Sequence, residues 1–128
     1  MGIINIYFPS IQYEHELQKR QDALRTFAGA KFDPSTGMRK VQMPMGWEMT
    51  VLEDTPNDFD ISKFELVCSV DMPSVNSIED FDKFAEENPT YDYQSAAASP
   101  LRREVGNGDI IEINNVKHYC LTSGWKVV

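Results

Sequence analysis

The last twenty-one residues, Gly108 to Val128, constrain the fold of this chain more than any other stretch. They read as two short strands joined by the dipeptide Asn114-Asn115, and asparagine is among the few residues that tolerate the positive φ of a tight hairpin turn. A third extended piece, Trp125 to Val128, follows the break at Gly124.

Upstream, Ile3 to Phe8 is a β-branched and aromatic run closed by Pro9, which cannot donate to a sheet ladder, and it predicts a first strand. Ser10 is placed to cap a helix. From Ile11 the apolar residues Tyr13, Leu17, Leu24, Phe27 and Ala28 share one helical face, polar residues fill most of the rest, and Gly29 is the natural stop. Asp33-Pro34-Ser35-Thr36-Gly37 marks residues 29 to 40 as an exposed loop. Val41 to Met45 and Trp47 to Leu52 read as extended segments broken by Pro44 and Gly46. Trp47, Met49 and Val51 alternate with Glu48 and Thr50 in the period of a half-buried strand.

Glu53 to Asp60 reads as an acidic loop. Phe64, Leu66, Cys68 and Val70 alternate over Lys63 to Asp71, a strand that ends at Pro73. Ser77 with Asp80 approximates a capping box, and the stripe Ile78, Phe81, Phe84, Ala85 runs to the helix terminator Asn88-Pro89. Ser95 to Pro100 is small and featureless, a mobile connector leading to Arg102, Arg103 and the terminal hairpin. The order β, α, β, β, α, β, β, β in 128 residues at 41% hydrophobic content supports one core. The expected fold is α+β: a single compact domain over residues 1–128, with a mixed or antiparallel sheet, two helices on one face and a C-terminal β-hairpin.

The formal net charge is −8, which opposes non-specific binding to nucleic acid phosphates. Residues 1 to 52 carry a net +1 and residues 53 to 128 a net −9. Two clusters dominate: Glu53, Asp54, Asp58 and Asp60, then Glu79, Asp80, Asp82, Glu86 and Glu87. They read either as solvated surface or as a partner-binding acidic surface. No apolar run approaches the length of a membrane span and the N-terminus lacks the pattern of a secretory signal. A cytoplasmic protein with no membrane partner is expected.

Little in the chain points to a reactive centre. His118 and Cys120 lie two apart on an expected strand and share a face, but a zinc site needs at least one more ligand and no second compact pair exists, so no metal is expected. Cys68 and Cys120 are far apart and read as buried structural thiols. Gly106-Asn107-Gly108-Asp109 precedes a strand rather than a helix, so it reads as a turn and not a phosphate loop. No nucleophile elbow is present, no carboxylate pair stands out as an acid/base couple, and no cofactor is expected. Tyr91, Tyr93, Arg102, Arg103 and the first-helix cations are the candidates for a small-ligand or nucleotide site.

Read together, the second helix and the terminal sheet resemble the YodL-like domain family over residues 77–128. The matching residues are Ile78, Glu79, Asp80, Phe81 and Phe84 on the helix, then Asn88, Pro89 and Tyr91. Arg103, Val105, Gly108, Asp109, Ile110 and Ile111 follow, and Tyr119, Gly124 and Trp125 close the pattern. Gly106 and Asn107 depart from it, and residues 1–62 match no family pattern. The resemblance implies an accessory protein of phages, plasmids or integrative elements with no established enzyme activity, in which Gly108, Asp109, Tyr119 and Trp125 are structural. The functional expectation is a non-enzymatic protein that binds and modulates a host protein through its acidic surface, with an anti-defence or nucleic-acid-mimic role. The alternative is a sponge-like binder of a small ligand or nucleotide.

Overall fold

The structure is a computed structural model and describes residues 2–24, 32–91 and 103–128. In chain order its regular elements are β1 (Ile3–Pro9), α1 (Ile11–Leu24), β2 (Phe32–Asp33), β3 (Met38–Gln42), β4 (Glu48–Leu52), β5 (Phe64–Asp71), α2 (Ile78–Glu87), β6 (Ile110–Ile113), β7 (Val116–Leu121) and β8 (Gly124–Val127). Short 3₁₀ turns cover Pro44–Gly46 and Ile61–Lys63. The strands pair antiparallel throughout, in a five-stranded sheet of order β5-β1-β6-β7-β8 and a three-stranded sheet of order β2-β3-β4. This is a single small α+β domain with a C-terminal hairpin.

β1 is the spine of the larger sheet, and its alternation separates two cores. Ile4, Ile6 and Phe8 face one side with Cys68, Val70, Ile111 and Ile113, and α2 closes this cluster with Phe81, Ile78 and Phe84. Fully burying each such side chain contributes about 1.5–3 kcal/mol. The opposite side gathers Ile110 and Tyr119 with Leu52, and Tyr7, Met38, Phe59 and Phe64 pack against them. Tyr13 of α1 meets Phe64 of this second cluster edge-to-face at 6.1 Å. The helices thus divide between the two clusters instead of sharing one face, because the strands of the larger sheet are apolar on both sides near their centre.

The terminal hairpin turns on Asn114 (φ 50°) and Asn115 (φ 65°), with Ile113 opposite Val116. Ser10 accepts from the Tyr13 N–H at 3.2 Å and Ser77 from the Asp80 N–H at 3.2 Å, so both helix starts are capped where the residue types pointed. Phe27, Ala28 and Gly29, and the connector Ser95 to Pro100, lie outside the described residues.

Two stretches differ from their sequence pattern. The strand placed at Val41 to Met45 begins earlier, at Met38, and Pro44 opens a 3₁₀ turn in which Met45 takes φ 69°. Of residues 29 to 40, the described part, 32–40, holds strand as well as turn, and the turn leaves Pro34 exposed but buries Thr36 and Gly37. Thr36 is 3% exposed, and the Gly37 carbonyl accepts from the Glu53 and Asp54 N–H groups at 2.8 and 3.1 Å. Gly37 itself has φ +74°, and a Cβ there would overlap the Asp54 carbonyl. The two sheets are joined at Leu52 and Thr122: the Leu52 N–H donates to Thr122 Oγ1 at 2.8 Å, and the Thr122 N–H donates to the Leu52 carbonyl at 3.0 Å.

Candidate functional site

Of the nine acidic residues singled out by their clustering, six are engaged inside the fold. Glu53 accepts from Arg39 Nε at 2.6 Å, Asp54 pairs with Lys126, and Asp60 takes the Ser62 N–H at 3.0 Å. Asp58 accepts two bonds from the Arg20 guanidinium at 3.0 and 2.8 Å, one from Lys63 Nζ at 3.1 Å and one from the Tyr13 hydroxyl at 3.0 Å. The Arg20 guanidinium holds the Asp58 carboxyl well below the usual carboxylate range, against the opposing effect of burial. Asp80 accepts from the Asn76 N–H at 3.0 Å, and Asp82 from Trp125 Nε1 at 2.9 Å.

Glu79, Glu86 and Glu87 remain, all exposed and all without a partner among the described residues. They lie on the outer face of α2, opposite Phe81 and Phe84, with Lys83 as the sole cation of the helix. Glu79 sits in the first turn, where the helix dipole favours a negative charge. Glu86 and Glu87 sit in the last turn, where it disfavours one, and no basic residue offsets them there.

The cationic and aromatic candidates fare differently. Asp109 is wholly buried, and Arg103 grips it with two bonds at 2.8 and 2.7 Å while the Gly106 N–H adds a third at 2.7 Å. Arg103 also donates to Glu14 of α1 at 2.7 Å and to the Glu104 carbonyl at 2.9 Å, which occupies four of its five N–H groups. Its guanidinium lies 4.0 Å from the centroid of the Phe8 ring. Arg103 therefore ties α1 to the turn before β6. Tyr91 is half-buried and stacks edge-to-face on Phe84 at 5.1 Å. Tyr93 and Arg102 lie outside the described residues.

Among the concavities that flank α1, one has Asp58 in its wall and another has Tyr119. The larger, of about 580 Å³, includes Ser10, Tyr13, Lys19, Arg20 and Lys63 in its wall, with Asp58 engaged as above. The smaller, of about 310 Å³, opens between α1 and the two sheets. Leu17, Gln18 and Gln21 come from α1, Met38 and Leu52 from the small sheet, and Tyr119 from β7. The Tyr119 ring is buried against Phe59 at 5.5 Å, and burial pushes its phenol above the ordinary range.

One surface escaped the sequence pattern altogether. Met45 is fully exposed, Trp47 is 54% exposed and Met49 is 38% exposed, so the alternation over β4 marks an open face and only Leu52 reaches a core. The short run Met43-Pro44-Met45-Gly46-Trp47 between two strands was the available signal, since a turn tip carries side chains that neither strand can cover.

The groups able to do covalent chemistry are muted. Burial pushes the Cys120 thiol up to about 11 and raises Cys68 as well, so neither is a ready thiolate. His118 is buried, and its Nδ1–H donates to the Ile111 carbonyl at 3.3 Å. Among the described residues no three His, Cys, Asp or Glu side chains gather in a way that would hold a metal ion, and no helix is long and apolar enough to cross a membrane. No family model, no characterised protein and no solved structure matches this chain.

Proposed function

We propose that this is a non-enzymatic binding protein that modulates a host protein in the host cytoplasm, in the manner of accessory proteins of phages and other mobile elements. Its contact surface is the outer face of α2. The observation that carries the reading is the placement of Glu86 and Glu87, two exposed and unpartnered carboxylates at the end of the helix where its dipole opposes them. A helix evolving for stability alone gains by replacing them. Glu79 extends the same face, and the chain's net charge of −8 adds to its field.

The partner this face fits is a basic groove, and a groove that ordinarily holds nucleic acid is the natural target of such a charge mimic. The resemblance of residues 77–128 to the YodL-like domain family supports the mobile-element setting. Affinity capture from host lysate with the wild-type chain and a Glu79→Lys/Glu86→Lys/Glu87→Lys variant tests the reading. Asp80 is left intact because it caps α2. The expected result is a partner retained by the wild type, released by raised salt and lost by the variant. A captured set that charge reversal leaves unchanged defeats the proposal.

A further inference from the structure

The Tyr119 hydroxyl stands out among the polar groups of the interior. The residue is only 2% exposed, it lies in the wall of the cleft between α1 and the two sheets, and its oxygen has no hydrogen-bond partner among the described residues. No buried side-chain oxygen or nitrogen of the described residues goes unsatisfied, so this hydroxyl meets its solvent through the cleft. A phenol anchored by Phe59 and Phe64 with its one polar atom turned into a cavity is preorganised to give or accept a hydrogen bond.

The walls define what such a ligand looks like. Leu17, Met38 and Leu52 supply apolar surface, while Gln18 and Gln21 supply neutral amide groups along one rim. The full charges in the wall are Glu14 and Arg103, which bond each other, and Arg103 is further engaged by the buried Asp109, so the three together leave one negative charge over. An anion finds no free donor fork here, since four of the five Arg103 N–H groups are occupied. At about 310 Å³ the cleft lies at the small end of ligand sites, which run from roughly 300 to 1,000 Å³.

We infer that this cleft is a binding site for a small uncharged heteroaromatic molecule of nucleobase size, which lies against Leu17, Met38 and Leu52 and hydrogen-bonds the Tyr119 hydroxyl. The site is separate from the outer face of α2 and does not depend on it. It also differs from a nucleotide site, because a phosphate would meet the Glu14 carboxylate and an Arg103 whose donors are already engaged.

The test is a two-dimensional NMR titration of the wild-type chain with adenine, uracil and indole as probes, and with adenosine monophosphate as the charged comparison. The expected result is millimolar or tighter binding of at least one uncharged probe, with shifts at Leu17, Leu52 and Tyr119 and weaker binding of the phosphorylated form. Tyr119→Phe keeps the melting temperature, because the hydroxyl bonds nothing in the protein, and weakens the bound probe about fivefold. Leu17→Trp fills the cleft from the α1 side and abolishes binding. The inference is overturned if no uncharged probe shifts these residues, if adenosine monophosphate binds better than adenine, or if Leu17→Trp binds as the wild type does. A marked fall in melting temperature for Tyr119→Phe overturns it too, by showing that the hydroxyl has a structural partner.

Discussion

Replacing Arg103 with Met keeps much of the side-chain volume over Phe8 but leaves the Asp109 carboxylate buried with the Gly106 N–H as its one remaining donor. Asp109 has no exposed surface, so it recovers no hydration in the variant. Removing one member of a buried ion pair costs about 3–5 kcal/mol, a large share of the ~5–15 kcal/mol that holds a domain together. For a chain of this size that corresponds to a fall of roughly 10–20 °C in melting temperature. The loss also depends on pH in a defined direction. Burial already raises the Asp109 pKa in the intact protein, and without Arg103 it rises further. A carboxyl whose folded pKa lies above its unfolded value contributes stability below the unfolded pKa, near 3.9, and loses it as pH rises through the folded value. The deficit of Arg103→Met is therefore largest at pH 7 and shrinks toward pH 4. A second change, Asp109→Asn, restores most of the loss at pH 7 because no charge is left to desolvate. Urea unfolding at pH 7, 5.5 and 4 measures all three. A deficit below about 1 kcal/mol at pH 7, or one that does not move with pH, refutes the role assigned to the pair.

Four other outcomes follow from the same structure. Asp58→Asn lowers stability by about 1 kcal/mol after discounting for the one-third exposure of its side chain, and it flattens the acid limb of a urea-midpoint profile. The sign follows from the depressed folded pKa of Asp58, whose stabilising effect is present above the unfolded pKa and is lost as pH falls. Gly37→Ala costs about 2 kcal/mol or more by calorimetry, because φ +74° is strained for alanine and the new methyl meets the Asp54 carbonyl. Met45→Ser and Trp47→Ser each leave stability within about 0.5 kcal/mol of the wild type, and a larger loss in thermal unfolding places the hairpin tip in a core after all. Glu86→Lys with Glu87→Lys raises stability by ~0.3–1 kcal/mol by removing like charges from the end of α2, and a measurable fall contradicts the dipole reading.

What could be read from the sequence depended on how local the determining interaction is. The Asn114-Asn115 turn, the Ser10 and Ser77 caps and the alternation of β1 were legible because each is settled within a few residues. The even alternation expected over Phe64, Leu66, Cys68 and Val70 of β5 fails, because a register shift against Ile6 and Tyr7 leaves Leu66 55% exposed and puts Phe64 in the opposite core from Cys68 and Val70. The division into two sheets was not legible, since β2 is just Phe32 and Asp33 and its pairing with β3 leaves no periodic trace. Trp47, Met49 and Val51 alternate in the same way whether the face they form is covered or open. The fate of the acidic clusters was the least legible part of the candidate site. Asp58 finds Arg20 across 38 positions, Asp54 finds Lys126 across 72, and Arg103 finds Glu14 across 89. Partners that distant meet only through the tertiary fold, and charge counting treats a paired carboxylate and an unpaired one alike.

That sorting of carboxylates sharpens the α2 surface rather than weakening it. At physiological ionic strength the screening length is about 8 Å, so charges paired elsewhere on the molecule contribute little to an approaching partner. Glu79, Glu86 and Glu87 lie within a ten-residue helix, a length of roughly 15 Å, so their potentials overlap. The helix carrying them is fixed by Phe81 in the core and by the Asp82–Trp125 hydrogen bond at its flank. A partner that meets such a face has little backbone to order, and the association keeps most of the electrostatic gain that a mobile acidic loop would lose to entropy. Natural folds break local rules mainly where function requires it. On the function proposed above, the unfavourable charges at the end of α2 are such a break, on a surface whose rigidity owes nothing to them.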